Sequence, residues 1–426
     1  MLAFLPIILA FLLYFSGIPI AYALFGSAIT YFTFIDNTSP IFLMLQKFIT
    51  STQSFPLLAI PFFIMAGAIM NYSGISEKLM KFADVVTGHM SGGLAQANVL
   101  LSTLMGGVSG SANADAAMEC KMLVPEMEKQ GYDPAFSAAV TAASSAITPI
   151  IPPGINLIVY ALIANVSVSK MFMGGYLPGV MIAIALMITV SLISKKRGYK
   201  PTRTKRATFK EVMVQLWDSI WALLFPFGII LGLRFGVFTP SEAGAVAVVY
   251  CLIIGIFVYK NLKPKHIWPI LKETVYGTSS VVLIIVAASF FGYYMNWERI
   301  PQLITGSMLD LTQNKYLMLA FINILLLIMG MFLEGGAALI ILAPLLVPVV
   351  TQLGVDPVHF GIICIVNIMI GGITPPFGSM MFTCCSITGT SLSKFIKESV
   401  PFILTLIITL LIVTYFESFV LFLPNL

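Results

Sequence analysis

Charge is scarce in this chain. Only 10% of its 426 residues are Asp, Glu, Lys or Arg, where soluble domains carry roughly 25%. Hydrophobic residues make up 58%, and the mean hydropathy is +0.98. That balance excludes a soluble fold and leaves an integral membrane protein. Its apolar runs suit membrane helices of about 20 residues rather than barrel strands of about 10 alternating ones, so the expected class is all-α. A G-x-x-x-x-G-K-[ST] loop is missing, which excludes ATP hydrolysis of that kind. No loop is long enough to form a soluble solute-capturing domain. Cysteine is limited to Cys120, Cys251, Cys364, Cys384 and Cys385, mostly in apolar surroundings without metal-ligand spacing, so they serve as small apolar fillers. Residues 1–15 lack a basic n-region and an A-x-A site, which makes them an anchor helix rather than a cleaved signal. The net charge of +5 is concentrated in two short loops, leaving no basic folded face for nucleic acid.

Proline interrupts two apolar stretches where an unbroken helix would be expected: residues 144–154, SSAITPIIPPG, and residues 371–379, GGITPPFGS. Each proline lacks an N–H, and its ring clashes with the carbonyl one turn back. Carbonyls near residues 146–149 are then left free, which lipid does not tolerate. One such break alone fits an ordinary kink. Two at matching places in two halves of a membrane chain point to a transporter's binding site.

The remaining chain reads as crossings and hairpins. Residues 2–14, 19–34 and 55–72 are crossings, residues 38–51 lie along the interface, and residues 77–81 form a charged patch. Two short arms around the polar tip GGVSGSANADAA (residues 106–117) predict a re-entrant hairpin over 93–128, followed by a broken helix over 134–163. A crossing over 173–193 ends in residues 194–210, with eight Lys/Arg and no acid, a cytoplasmic loop by the positive-inside rule. Further crossings span 216–235, 243–258 and 279–295. A second hairpin over 316–352, a broken helix over 358–383 and a crossing over 401–421 complete the chain.

A shift of 223 residues brings Pro125, Gly131, Asp133 and Pro134 onto Pro348, Gly354, Asp356 and Pro357. It also brings Pro152-Pro153 onto Pro375-Pro376, and Ser111 and Asn113 opposite Glu334 and Gly336. Charge bias independently opens the first hairpin to the cytoplasm and the second to the outside, with both termini outside. The halves, 1–200 and 201–426, are therefore an inverted repeat. In each, scaffold helices (1–80 and 211–300) precede the hairpin and broken helix.

Chemistry gathers at the two tips and two breaks. A sodium ion is a hard cation that wants oxygens. Ser109, Ser111, Asn113, Ser144, Ser145 and Thr148 offer them in the first half, and Gly335, Gly336, Gly371, Gly372 and Thr374 offer mainly backbone oxygens in the second. Half-helix N-termini at the breaks favour an anionic substrate. Each small residue alone also suits plain helix packing. Glu334 is a carboxylate in an apolar tip, a functional candidate by default, with a salt-bridged or snorkelling carboxylate as the alternative. Asp115 and Glu119 are expected to be structural, and Arg234 to pair with Glu242. The GVSG at 107–110 fits a serine-protease G-x-S-G, but only His89, His266 and His359 exist, and none is an evident base for Ser109; no enzyme is expected.

In GGVSGSANADAA, ITPIIPPG (147–154), ITPPFG (373–378), FGVFTPSEAGAVAVVY (235–250) and ILAPLLVPVV (341–350), the chain resembles the large membrane subunit of TRAP (tripartite ATP-independent periplasmic) transporters. The resemblance spans essentially the whole chain. It implies an ion-transporter fold of elevator type with sodium as the coupling ion. It further implies organic-acid uptake across a bacterial inner membrane, a separate small four-helix membrane subunit and a periplasmic substrate-binding protein. Carried onto this sequence, sodium falls at the first tip with residues 144–148, and at residues 334–336 with 371–374. Ser109, Ser111, Thr148 and Glu334 are the substrate contacts. The resemblance is greatest to the sialic acid branch and so implies that cargo, and the absence of Lys or Arg from both tips favours a substrate held by hydroxyls and helix ends; a C4-dicarboxylate or other carboxylate is the alternative. An ion channel is the rival class, disfavoured by inverted repeats whose tips differ.

Overall fold

The structure is a computed structural model that describes residues 2–36, 46 and 49–426, with residues 2, 107–109, 230 and 234 described for the backbone alone. Among the described residues every regular element is helical. Seven helices among the described residues are long and apolar enough to cross a membrane.

In the first half, α1 (Leu5–Phe15) and α2 (Ile20–Phe34) pair, followed by α3 (Ala59–Ser73) and α4 (Ile75–Thr87). The first hairpin is α5 (Gly93–Ser109) and α6 (Ala112–Lys129). The broken helix is α7 (Pro134–Ser145) and α8 (Ile155–Ala164), and α9 (Val168–Arg197) closes the half. The second half contains α10 (Phe209–Asp218), α11 (Ile220–Arg234), α12 (Pro240–Ile253), α13 (Ile267–Trp297) and α14 (Ile300–Leu311). Its hairpin is α15 (Lys315–Phe332) and α16 (Gly335–Gln352), and its broken helix is α17 (Pro357–Gly371) and α18 (Ser379–Thr388). The chain ends with α19 (Leu392–Tyr415) and α20 (Glu417–Leu421).

Matching residues start matching helices. Asp133 caps α7, its Oδ1 accepting from the Ala135 and Phe136 N–H at 2.7 and 3.2 Å. Asp356 caps α17 with 2.7 and 3.3 Å bonds from Val358 and His359. Such caps satisfy N–H groups that a helix start leaves orphaned. Both proline pairs, Pro152-Pro153 and Pro375-Pro376, are cis. Packing is reciprocal: α6 lies against α18, and α16 against α8. Each hairpin's second arm therefore meets the other half's broken helix, which brings both tips and both breaks together. Around them, α2 and α3 pack on α13, and α3 packs on α12. This is the inverted-repeat fold with two hairpins and two broken helices.

Several expected boundaries shift. The first tip shrinks to Gly110 and Ser111, because residues 106–109 and 112–117 are helical. The charged patch at 77–81 belongs to the amphipathic α4, with Lys81 and Glu77 paired at 2.7 Å. The crossing over 216–235 is bent by 69° between α10 and α11. Thr208 and Glu211 form a capping box that fixes the start of α10. The crossing over 279–295 is the 31-residue α13, and the last crossing begins at Leu392 with Pro401 in its interior. Helix α14 was not anticipated. Glu242 forms a capping box with Thr239, while the side chain of Arg234 lies outside the described ones. Most of the interfacial segment 38–51 also lies outside the described residues.

Candidate functional site

A cavity of about 890 Å³ opens where the tips and breaks converge. The first hairpin contributes Gly110, Ser111 and Asn113, and the second contributes Glu334, Gly335 and Gly336. Asn156, in the first turn of α8, and Ser379, the first residue of α18, face the same space. Helices α3 and α13 supply the opposite wall through Asn71, Tyr72, Tyr276 and Ser280. One face is thus made of short polar groups and helix starts, the other of scaffold side chains. Half-helix N-termini carry partial positive charge, so their convergence on one cavity suits an anion.

Ser111 caps α6 by accepting from the Ala114 N–H at 3.4 Å. Glu334, its counterpart, caps α16: its Oε2 accepts from the Gly336 and Ala337 N–H at 3.1 and 3.3 Å. The carboxylate is exposed to the cavity, yet it is tied to the helix start rather than held in an ion pair. Replacing it with alanine is expected to cost about 1 kcal/mol of cap energy, read as a lower thermal midpoint in detergent, while Glu334→Gln retains an acceptor and loses less. Asn113 lines the cavity with its Oδ1 buried and unpartnered among the described residues.

Other expected site residues lie behind the cavity wall. Thr148 is fully buried and donates to Asp115 Oδ2 at 2.5 Å. Ser144 Oγ lies 2.9 Å from Asn98 Oδ1 and 3.0 Å from the Thr141 carbonyl, with one proton shared between them, and Ser145 donates to the Thr141 carbonyl at 2.7 Å. Asn98 Nδ2 in turn reaches Thr141 Oγ1 at 2.7 Å. Glu119, also fully buried, accepts from Ser102 Oγ at 2.9 and 2.8 Å. A dense set of oxygens therefore joins α5, α6 and α7 just under the first tip. In the second half, Asn367 Nδ2 donates to Asn323 Oδ1 at 2.6 Å, a matching tie between hairpin arm and broken helix. Thr374 donates to the Ile370 carbonyl at 2.6 Å. Gly372 lines the cavity, whereas Gly371 packs on Gly330. The side chain of Ser109 lies outside the described ones.

Sequence reasoning missed Asn156 because nothing marks a lone Asn after a break until α8 is placed against α16. An ideal Cβ on Gly335 would lie 3.6 Å from Asn156 Nδ2, so Asn156 spans from one half's break to the other half's tip. Two lysines were also missed. Lys121 and Lys272 line the basic end of the cavity, Lys272 lying 5.8 Å from the Tyr276 ring centroid. Beside them Tyr72 donates to Glu273 at 2.7 Å. Basic residues do line the cavity, although the tips themselves carry none. Of the histidines weighed as a base, His359 bonds the Val413 carbonyl at 2.8 Å and His266 stacks on Tyr72. All five cysteines are buried and free.

Comparison with known proteins agrees with this architecture. The Alcanivorax borkumensis YdaH transporter superposes with a TM-score of 0.64 over 90% of this chain and 89% of its own, at 14% identity, a likeness of fold alone. The sialic acid TRAP transporter large permease protein SiaM of Vibrio cholerae is 37% identical over 416 residues, 97% of this chain and 96% of that one. An isethionate TRAP transporter permease of Oleidesulfovibrio alaskensis is 40% identical over 407 residues, 95% of this chain and 64% of its own length. The family model for the tripartite ATP-independent periplasmic transporter, DctM component, matches residues 7–419. The chain therefore belongs to that family as a large membrane permease subunit for organic-acid uptake, and is not an enzyme.

Proposed function

We propose that the chain is a sodium-coupled permease whose cargo is sialic acid, held in the cavity between the hairpin tips. The observation that carries this reading is the convergence of two tips and two half-helix starts on one space of about 890 Å³, large enough for a nine-carbon sugar acid. Its wall of hydroxyls and amides, including Ser111, Asn156 and Ser280, suits a polyhydroxylated solute, and the half-helix starts suit its carboxylate. A C4-dicarboxylate or a sulfonate such as isethionate is the rival cargo, favoured by Lys121 and Lys272 near the mouth.

Sodium would be held under the first tip by oxygens from Asn113, Ser144, Ser145 and Thr148, with Asp115 within reach. A second ion would lie between residues 334–336 and 371–374. The hairpins and broken helices would move as one body, in elevator fashion, against a scaffold that includes α1–α3 and α11–α13. The repeats 1–200 and 201–426 would be the evolutionary units. By the positive-inside rule the basic ends of α9 and α13 would face the cytoplasm of a bacterial inner membrane, with both termini then in the periplasm. A small four-helix subunit and a periplasmic binding protein complete the working unit.

The test is uptake of radiolabelled sialic acid into proteoliposomes holding the chain and its small subunit, with binding protein outside. Uptake is expected only with an inward sodium gradient and binding protein together. Uptake of another carboxylate or of isethionate in its place overturns the cargo, and uptake indifferent to sodium overturns the coupling. Asn156→Leu, which removes a polar group linking the two halves, is expected to raise the half-saturating solute concentration by about tenfold, the worth of one hydrogen bond near 1.4 kcal/mol.

A further inference from the structure

A second cavity, of about 390 Å³, lies at the other end of α13. It is lined by Ile285, Ser289 and Asn296 of α13, by Leu162 of α8 and by Pro344 of α16. The first cavity runs along the same helix from Lys272 through Gly277 and Ser280 to Ile284. These positions recur every three to four residues, so one face of α13 lines both spaces in turn. Among the described residues, two border both cavities: Val159 of α8 and Ile340 of α16. Both are buried, at 2% and 3% exposure, and along α13 the lining passes from Ile284 in the first cavity to Ile285 in the second.

We infer that the two cavities are the inner and outer vestibules of one path, and that Val159 and Ile340 are the plug between them. The inference rests on the reading of the first cavity as the solute site. Apolar side chains suit this duty because they leave a migrating ion or hydrated acid no polar partner, and desolvating either is costly. The two plug residues sit on the reciprocally packed second halves of the first break and second hairpin, so they would travel with the site. Ile284 and Ile285 stay with α13. Above and below them its face carries Gly277 and Ser280 beside Tyr276 on one side, and Ser289 and Gly292 beside Tyr293 on the other.

The test uses cysteines at Ser280 and Ser289 in the full chain, in vesicles chilled on ice without sodium or solute. A membrane-impermeant methanethiosulfonate reagent is applied to one face at a time. With Val159 and Ile340 intact, Ser289→Cys is expected to react from one face only and Ser280→Cys from the opposite face only. In the Val159→Gly/Ile340→Ala background both cysteines are expected to react from both faces. Labelling of either cysteine from both faces with the plug intact overturns the inference. So does one-sided labelling that persists in the double variant. If the double variant does not reach the membrane, Val159→Ala and Ile340→Ala are compared singly, and unchanged sidedness in both again overturns it. No solute enters the assay, so its outcome is separate from whether sialic acid is the cargo.

Discussion

Asp115→Ala is expected to reduce solute uptake in proteoliposomes to background and to lower the thermal midpoint of the detergent-solubilised protein. The Asp115 carboxylate is 1% exposed and accepts the Thr148 hydroxyl, itself fully buried. Removing it leaves Thr148 without that partner in a low-dielectric interior, at a cost of about 1–3 kcal/mol. The bond also joins α6 to the break after α7, so its loss frees the first tip from the segment beside it. Thr148→Val should copy the stability loss from the other side of the bond. Asp115→Asn keeps an acceptor for the hydroxyl and should restore most of the stability. If it fails to restore uptake, the negative charge itself serves transport. Full uptake by Asp115→Ala would show that neither the bond nor the charge is needed.

Gly371→Ala is expected to prevent accumulation of folded protein. A Cβ at residue 371 would lie 2.5 Å from the backbone carbon of Gly330 and 2.6 Å from its Cα. Neither helix has a flexible side-chain end to yield, so α15 and α17 must separate at the point where the second hairpin rests on the second break. Overpacking of this kind costs about 1–3 kcal/mol in cores that can adjust, and two abutting backbones adjust least. Gly330→Ala meets the Ile368 carbonyl at 3.0 Å and Gly371 Cα at 3.2 Å, so it should be milder. Gly306→Ala, with nothing within 4 Å of its Cβ, is the control and should gain about 0.5–1 kcal/mol from helix propensity. Size-exclusion profiles and melting curves of the three proteins rank them directly. Equal behaviour of Gly371→Ala and Gly306→Ala would refute the close-contact account.

Much of the fold is legible in the sequence because its signals are local. Proline removes a hydrogen bond wherever it stands, so Pro149, Pro152, Pro375 and Pro376 mark the breaks without knowledge of their neighbours. Asp133 and Asp356 mark helix starts for the same reason, since a cap acts within three residues. The 223-residue register survives because both halves need those devices at the same places. Helix bounds were less legible. The tip GGVSGSANADAA looked like a long polar loop, yet it is nearly all helical, because packing against α7 and α18 outweighs the low helix propensity of its glycines and serines. The start of α13 was hidden by Lys272 and Glu273, whose charges look like loop but sit at the end of a long helix.

The site residues divide in the same way. Ser111, Asn113, Glu334, Gly335 and Gly336 share the cavity because they belong to the tips, which the sequence marks. Thr148, Ser144 and Ser145 were correctly placed at a break, but which way each hydroxyl points depends on Asn98, Thr141 and Asp115 on other elements. Asp115 and Glu119 looked like ordinary carboxylates on a hairpin arm, and only the packing of α5, α6 and α7 buries them completely. Asn156 became a site residue because α8 packs on α16, a contact between halves that no spacing along the chain encodes.

Composition, breaks, caps and the repeat, each acting through neighbours in the chain or through the membrane as solvent, settled that this is a helical carrier with two inverted halves. Which polar groups face the cavity, which carboxylates are buried and where an apolar pair closes the path were decided only by the tertiary structure. Those properties belong to surfaces of different helices, from Asp115 and Thr148 within the first half to Asn156 and Gly335 in opposite halves, and neither surface carries the other's position in its own sequence.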